Sequence, residues 1–135
     1  MSQRHSDSND KSDPLASRAA ALTLLSGAVR EGKAIDKRFQ KIAGQLEPRD
    51  RAFVRHLVAT TLRRLGQIDA VLKTFTTRAP PAQVEDILRL GTAQILFLET
   101  APHAAVDTSV GLVKRVRQPR LTGLVNAVLR KVAAT

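Results

Sequence analysis

The chain of 135 residues contains no cysteine, no tryptophan and no tyrosine. Without a thiol there is no disulfide framework, no thiolate metal site and no cysteine nucleophile. Aromatic residues amount to 3%, all of them phenylalanine, so the core has to be assembled from Ala, Leu, Val and Ile, a composition suited to closely packed helices. Long apolar runs are missing as well: no segment approaches the roughly 18 residues that a membrane-spanning helix needs. The opening stretch, Met1 to Asp13, is polar and of mixed charge, without the apolar segment of a secretory leader. These absences lead us to expect a cytoplasmic protein. No glycine-rich loop follows a strand-like run and no Ser–His–Asp order occurs, so nothing in the sequence points to a catalytic residue.

Acidic residues are scarce beside basic ones. Twenty-two Lys and Arg face twelve Asp and Glu, a net charge of +10, and the isoelectric point lies near 11.3. Arg4 and Lys11 are outnumbered by Asp7, Asp10 and Asp13, so residues 1–13 carry −1 and residues 14–135 carry +11. The positive field therefore belongs to the folded part rather than to a basic arm. A field of this size is the usual footprint of a nucleic-acid binder.

Residues 1–13 are rich in Ser, Asp and Asn and read as a disordered tail, with residues 14–135 as one helical domain. Asp13-Pro14 has the form of a helix cap followed by proline at the first helical position, and Gly32 is a natural stop. A short helix is expected over Ile35 to Ala43, with Phe39 and Ile42 inward. Pro48 opens a third, in which Val54, Leu57, Val58, Thr61, Leu62 and Leu65 recur every three or four residues. Gly66 weakens it, and a fourth segment resumes through Ile68, Val71, Leu72 and Phe75. Ala79-Pro80-Pro81 is the clearest break, since a residue before proline avoids helical geometry. A fifth helix then buries Val84, Ile87, Leu88, Ile95 and Leu98. Pro102 opens a sixth to about Val116, Arg117 to Arg120 form a basic turn, and a seventh spans about Leu121 to Ala133. Nothing alternates with period two. The expected fold is all-α, a compact bundle of about six to seven helices.

Three basic groups are candidates for RNA contact. On the third helix Arg51, Arg55 and Arg63 lie four or eight residues apart, so they project from broadly one face, with Arg49 and Arg64 beside them. Arginine suits phosphate because the guanidinium forks onto two oxygens. Lys37, Arg38 and Lys41 form a second patch, and Arg115, Arg117 and Arg120 ring a loop that is free to wrap a backbone. Each has a plainer explanation, a solvated face or favourable charge at a helix C-terminus. The four phenylalanines all lie in apolar patterns and are expected in the core, which leaves no aromatic platform for stacked bases. His103 and Asp107 share a face but lack a third ligand, His56 has no partner, and no metal site is expected. Gly91 inside the fifth helix implies a close helix crossing, and Asn126 reads as a buried amide. Glu85 and Asp86 diverge by about 100° on a helix and read as solvated charges.

Three phrases, in this order, carry a family likeness: Asp86-Ile87-Leu88-Arg89-Leu90-Gly91, Ala101-Pro102-His103-Ala104-Ala105-Val106 and Gly123-Leu124-Val125-Asn126-Ala127-Val128-Leu129-Arg130. The sequence resembles the NusB-like all-helical RNA-binding domain from about Leu15 to Ala133, in the version found at the N-terminus of RsmB/Sun-type ribosomal RNA cytosine-5 methyltransferases. The resemblance implies a non-catalytic, monomeric module that docks an S-adenosylmethionine-dependent methyltransferase on 16S ribosomal RNA. The cofactor and catalytic cysteines would then belong to a following domain, and none is expected in these residues; Val132 to Thr135 reads as a domain edge. Two other classes remain open. One is a NusB-type transcription antitermination factor, which in that family uses an arginine-rich first helix and a ribosomal protein partner. Here that region offers only Arg18, followed by Ala19-Ala20-Ala21. The other is a structural module packed on the catalytic domain of its own chain.

Overall fold

A computed structural model describes residues 13–135, and the tail expected over 1–13 lies, apart from Asp13, outside them. Seven α-helices follow one another: α1 Pro14–Glu31, α2 Ile35–Ala43, α3 Pro48–Arg63, α4 Leu65–Phe75, α5 Ala82–Phe97, α6 Pro102–Arg115 and α7 Thr122–Ala133. A short 3-10 turn, Pro119–Leu121, joins the last two. The described residues contain no strand.

Local chemistry sets these limits. The Asp13 side chain accepts from the Ala16 N–H at 3.0 Å, and Pro14 occupies the first turn of α1. At the other end Gly32 adopts φ 66°, a left-handed conformation favoured by glycine, and the Lys33 N–H turns back to the Gly27 carbonyl at 3.0 Å. Prolines 48 and 102 open α3 and α6 in the same manner. The break between α3 and α4 falls at Arg64, just before the expected weak point at Gly66, whose missing side chain faces open space.

Helix α5 is the axis of the bundle. It packs against α1, α3, α4, α6 and α7, and every residue from Asp86 to Gln94 is buried. A helix buried all round is ordinarily apolar, yet this one carries Asp86, Arg89, Thr92 and Gln94 inside. Asp86 is fully shielded. Its carboxylate accepts from Ser26 Oγ at 2.6 Å, from two Arg30 nitrogens at 3.0 Å each, and from Arg89 NH1 at 2.9 Å. Arg89 in turn forks onto Asp69 of α4 at 2.8 and 3.0 Å, and Arg30 also reaches Glu85 at 2.9 Å. Solvation as the explanation of Glu85 and Asp86 is thus wrong: Arg30 of α1 clamps the two together, and Asp86 is an internal anion. Hydrogen bonds that Arg30 donates to Asp86, then to Glu85, hold its guanidinium above the usual arginine range. Burial works against the charge on Arg89, but its bonds to Asp69 and Asp86 outweigh that and hold it high too.

Gly91 sits where α5 meets α6 and α7. A methyl group there would lie 2.7 Å from Leu129 Cδ1 and 2.9 Å from Ser109 Oγ, so the close crossing expected from the sequence is real. Asn126 departs from expectation: it is half-exposed, and its Oδ1 accepts from Arg130 Nε one turn along α7 at 3.0 Å, a surface pairing rather than a buried tie. Phe39 is buried, whereas Phe53, Phe75 and Phe97 are half-buried against the core.

Two substitutions test this frame by chemical denaturation. Asp86→Asn, which strands two arginines without their shared anion, is expected to lower the unfolding free energy by about 3–5 kcal/mol; Glu85→Gln, at a partly exposed pair, is expected to cost less than about 1 kcal/mol. Similar losses at both positions would show that burial of Asp86 does not matter. Gly91→Ala improves helix propensity but overpacks the crossing, and a net loss of about 1–3 kcal/mol is expected; an unchanged or raised stability would show that Leu129 and Ser109 yield freely.

Candidate nucleic-acid interface

The twelve candidate residues separate into those that face the fold and those that face solvent. Arg18 faces in. Its guanidinium lies 4.2 Å from the Phe53 ring centroid, its Nε donates to Gln94 Oε1 at 3.1 Å, and its NH1 donates to Ser17 Oγ at 3.3 Å. Burial pushes its pKa below the usual arginine range, with Asp50 acting in the opposite sense. Arg18 therefore ties α1 to α3 and α5 and is not presented to a ligand. Arg51 is also structural. It is half-buried, and its NH1 donates to the Leu46 carbonyl at 2.6 Å and the Gly44 carbonyl at 3.5 Å, closing the loop between α2 and α3.

Arg55 and Arg64 are exposed but held. The Arg55 guanidinium lies 4.0 Å from the Phe39 centroid and 3.5 Å from Asp36. Arg64 lies 4.9 Å from the Phe97 centroid and donates to Gln67 Oε1 at 3.1 Å. A guanidinium resting flat on a ring keeps its edge N–H groups outward, where phosphate oxygens would meet them, and stacking narrows the rotamers it samples. Arg63 makes one long bond, NH2 to Thr60 Oγ1 at 3.5 Å. Lys37, Lys41, Arg49, Arg115, Arg117 and Arg120 are exposed and enter no ion pair among the described residues. Arg117 has φ 64°, the left-handed position just past the end of α6.

Arg38 was expected to point outward with Lys37 and Lys41. It instead turns toward α1, and its guanidinium rests on Gly27. This brings it into one cleft with Arg115, from a different candidate group, together with Arg30 and Lys33. The α3 arginines do not line that cleft. Arg30 and Lys33 escaped the sequence reading because they follow an apolar helix and lie at its end; their position just before and after the Gly32 stop was the available signal. Among the described residues no group of three or more His, Asp or Glu is placed to hold a metal ion, and no helix is long and apolar enough to cross a membrane.

The sequence pattern of the NusB family matches residues 15–134. Ribosomal RNA small subunit methyltransferase B of Xanthomonas campestris pv. campestris is 33% identical over 121 residues, 87% of this chain and 28% of that protein. The protein of the same name from Thermus thermophilus is 40% identical over 122 residues, 86% of this chain and 29% of its own length. The chain therefore spans less than a third of the curated relatives it matches. Among solved structures, antitermination factors NusB and NusE in complex with dsRNA include a chain that superposes with a TM-score of 0.75 at 24% identity, covering 90% of this chain and 95% of that one. That likeness is one of fold.

The sorting of the arginines has a direct test in thermal or chemical denaturation. Arg51→Ala, which removes charged donors from two loop carbonyls, is expected to lower stability by about 1–3 kcal/mol. Arg49→Ala, at an exposed side chain with no ion pair among the described residues, is expected to stay within about 0.5 kcal/mol. Equal effects at the two positions would place Arg51 among the surface arginines after all.

Proposed function

The chain belongs to the NusB family, and from that premise we propose that it is the non-catalytic RNA-binding domain of a ribosomal RNA cytosine-5 methyltransferase, docking that enzyme on 16S ribosomal RNA. It works as a monomeric module in the cytoplasm, in one chain with the catalytic domain. S-adenosylmethionine belongs to the catalytic domain in this proposal.

The observation that carries the reading is how the charges are paired. Asp69, Glu85 and Asp86 are committed to Arg30 and Arg89 inside, Glu31 pairs with Lys33, and Asp36 with Arg55. These five acids are engaged with four cations, Arg30, Lys33, Arg55 and Arg89, and Lys37, Lys41, Arg49, Arg63, Arg115, Arg117 and Arg120 are left with no carboxylate partner among the described residues. A surface that leaves cations unneutralised at a net +10 attracts a polyanion. Packing on another domain as the main role fits less well, because the described surface exposes a single large apolar side chain, Leu124 at 37%. Antitermination is less favoured too: the relatives at 33% and 40% identity are methyltransferases, and Arg18, in the first half of α1, is engaged with Phe53 and Gln94.

Fluorescence anisotropy with a 16S ribosomal RNA fragment over a salt series tests the proposal. With roughly three to five phosphate contacts on single-stranded RNA, log K is expected to fall against log salt with a slope of about −2 to −3.5. Affinity that does not respond to salt, or no binding at about 50 mM salt, would remove RNA as the partner and return the case to domain packing.

A further inference from the structure

Between the C-terminal half of α1, the start of α2 and the end of α6 lies a cleft of about 570 Å³. Four cations line it, Arg30, Lys33, Arg38 and Arg115, against two acids, Glu31 and Asp86. Both acids are already paired: Asp86 is held by Ser26, Arg30 and Arg89, and Glu31 by the Lys33 ammonium at 2.9 Å. Arg30 is fixed by Asp86 and Glu85, which leaves Arg38 and Arg115 as the uncommitted charges.

Arg38 is the anomaly. Its NH1 is shut off from solvent and has no hydrogen-bond partner in the protein. A buried guanidinium nitrogen without an acceptor is costly and rare, and the cost fixes attention on what the rest of the group does in the cleft. The fold nevertheless makes room for it. Gly27 is buried in α1, and a Cβ there would collide with Arg38 NH1 and lie 3.1 Å from its Cζ, so the absent side chain is what admits the guanidinium. Arg115 enters from the opposite wall, exposed and without an ion pair.

We propose that this cleft is a phosphate-binding subsite in which Arg38 and Arg115 grip one backbone phosphate of RNA, with Lys33 at its edge. The proposal rests on the RNA reading above and goes beyond it by assigning a specific pocket. The cavity is much larger than a lone anion requires, and part of its wall is apolar, with Leu112 and Val116 beside Arg115. Those surfaces fit the sugar and base face attached to the phosphate, which distinguishes a nucleotide unit of a strand from inorganic phosphate. Arginine at both positions matches the need for planar, two-pronged donors.

The test uses the chain labelled with nitrogen-15, titrated separately with inorganic phosphate and with short single-stranded polyuridine RNA. RNA is expected to shift the Arg38 Nε–H and Gly27 amide signals at concentrations where inorganic phosphate leaves them in place. Arg38→Gln and Arg115→Gln are each expected to weaken RNA binding several-fold and to reduce the salt slope by about 0.7, one phosphate's share. Gly27→Ala, which keeps every charge but displaces the guanidinium, should reproduce the Arg38→Gln effect; if either of these two variants melts early, exposed Arg115→Gln carries the measurement. Salt-dependent RNA binding with silent Arg38 and Gly27 signals and unchanged slopes in all variants would overturn the subsite while leaving the RNA function standing. Shifts with inorganic phosphate but not RNA would overturn it in favour of a free anion, and a wild-type chain that binds no RNA would overturn both readings.

Discussion

The bundle depends on one buried carboxylate. Asp86 has no solvent exposure, and four hydrogen bonds from three residues converge on it. An isolated anion in that position would be untenable, and a buried pair offsets its desolvation only when every lone pair is occupied in good geometry. Here the donors come from α1, through Ser26 and Arg30, and from α5 itself, through Arg89. Arg89 extends the chain of charge to Asp69 on α4. Apolar packing alone lets helices slide and rotate past one another at modest cost, whereas this network has one register. It holds the C-terminal half of α1 against the beginning of α5, and that half of α1 is the floor of the basic cleft.

The scarcity of aromatics has a structural consequence of its own. Three of the four phenylalanines lie beneath an arginine: Phe39 under Arg55, Phe53 under Arg18 and Phe97 under Arg64. Ring faces that would otherwise receive bases are occupied by guanidinium groups. Base stacking on aromatic platforms, a common device in single-stranded RNA recognition, is therefore closed off at these rings. What remains at Arg55 and Arg64 is the guanidinium plane and its edge donors. Such groups suit phosphate and shape rather than base stacking.

Punctuation was the most legible part of the sequence. Pro14, Pro48, Pro102 and Gly32 mark helix limits through backbone constraints that act within a residue or two, so they can be read without knowing the fold. Gly91 was legible for a related reason: a glycine in the middle of a strongly apolar helix has few explanations besides close approach. The fate of the charges was not legible. Arg18 meets Gln94 and Arg30 meets Asp86 across 76 and 56 residues of sequence, and no periodicity encodes such pairs. Helical spacing put Arg51 on the face of Arg55 and Arg63, but spacing fixes only where a side chain starts. A long flexible stem then lets the head settle where its donors are best met, which for Arg51 is the carbonyls of Gly44 and Leu46.

Arginine thus has two roles in this chain that lysine would fill poorly. Inside, Arg89 spans two carboxylates on different helices because its fork offers several donors in one plane, and Arg30 joins α1 to the neighbouring carboxylates Glu85 and Asp86 of α5. A point-charge ammonium would satisfy one acceptor well and leave the others wanting. Outside, the same planar group lies flat on a ring or in a loop and presents its edge. The inward use of the acids is what makes the outward use effective. The Asp86 network sets three carboxylates against two arginines, so the packing of α1, α4 and α5 withdraws one more negative charge than positive and adds to the excess that the number of basic residues already gives the surface.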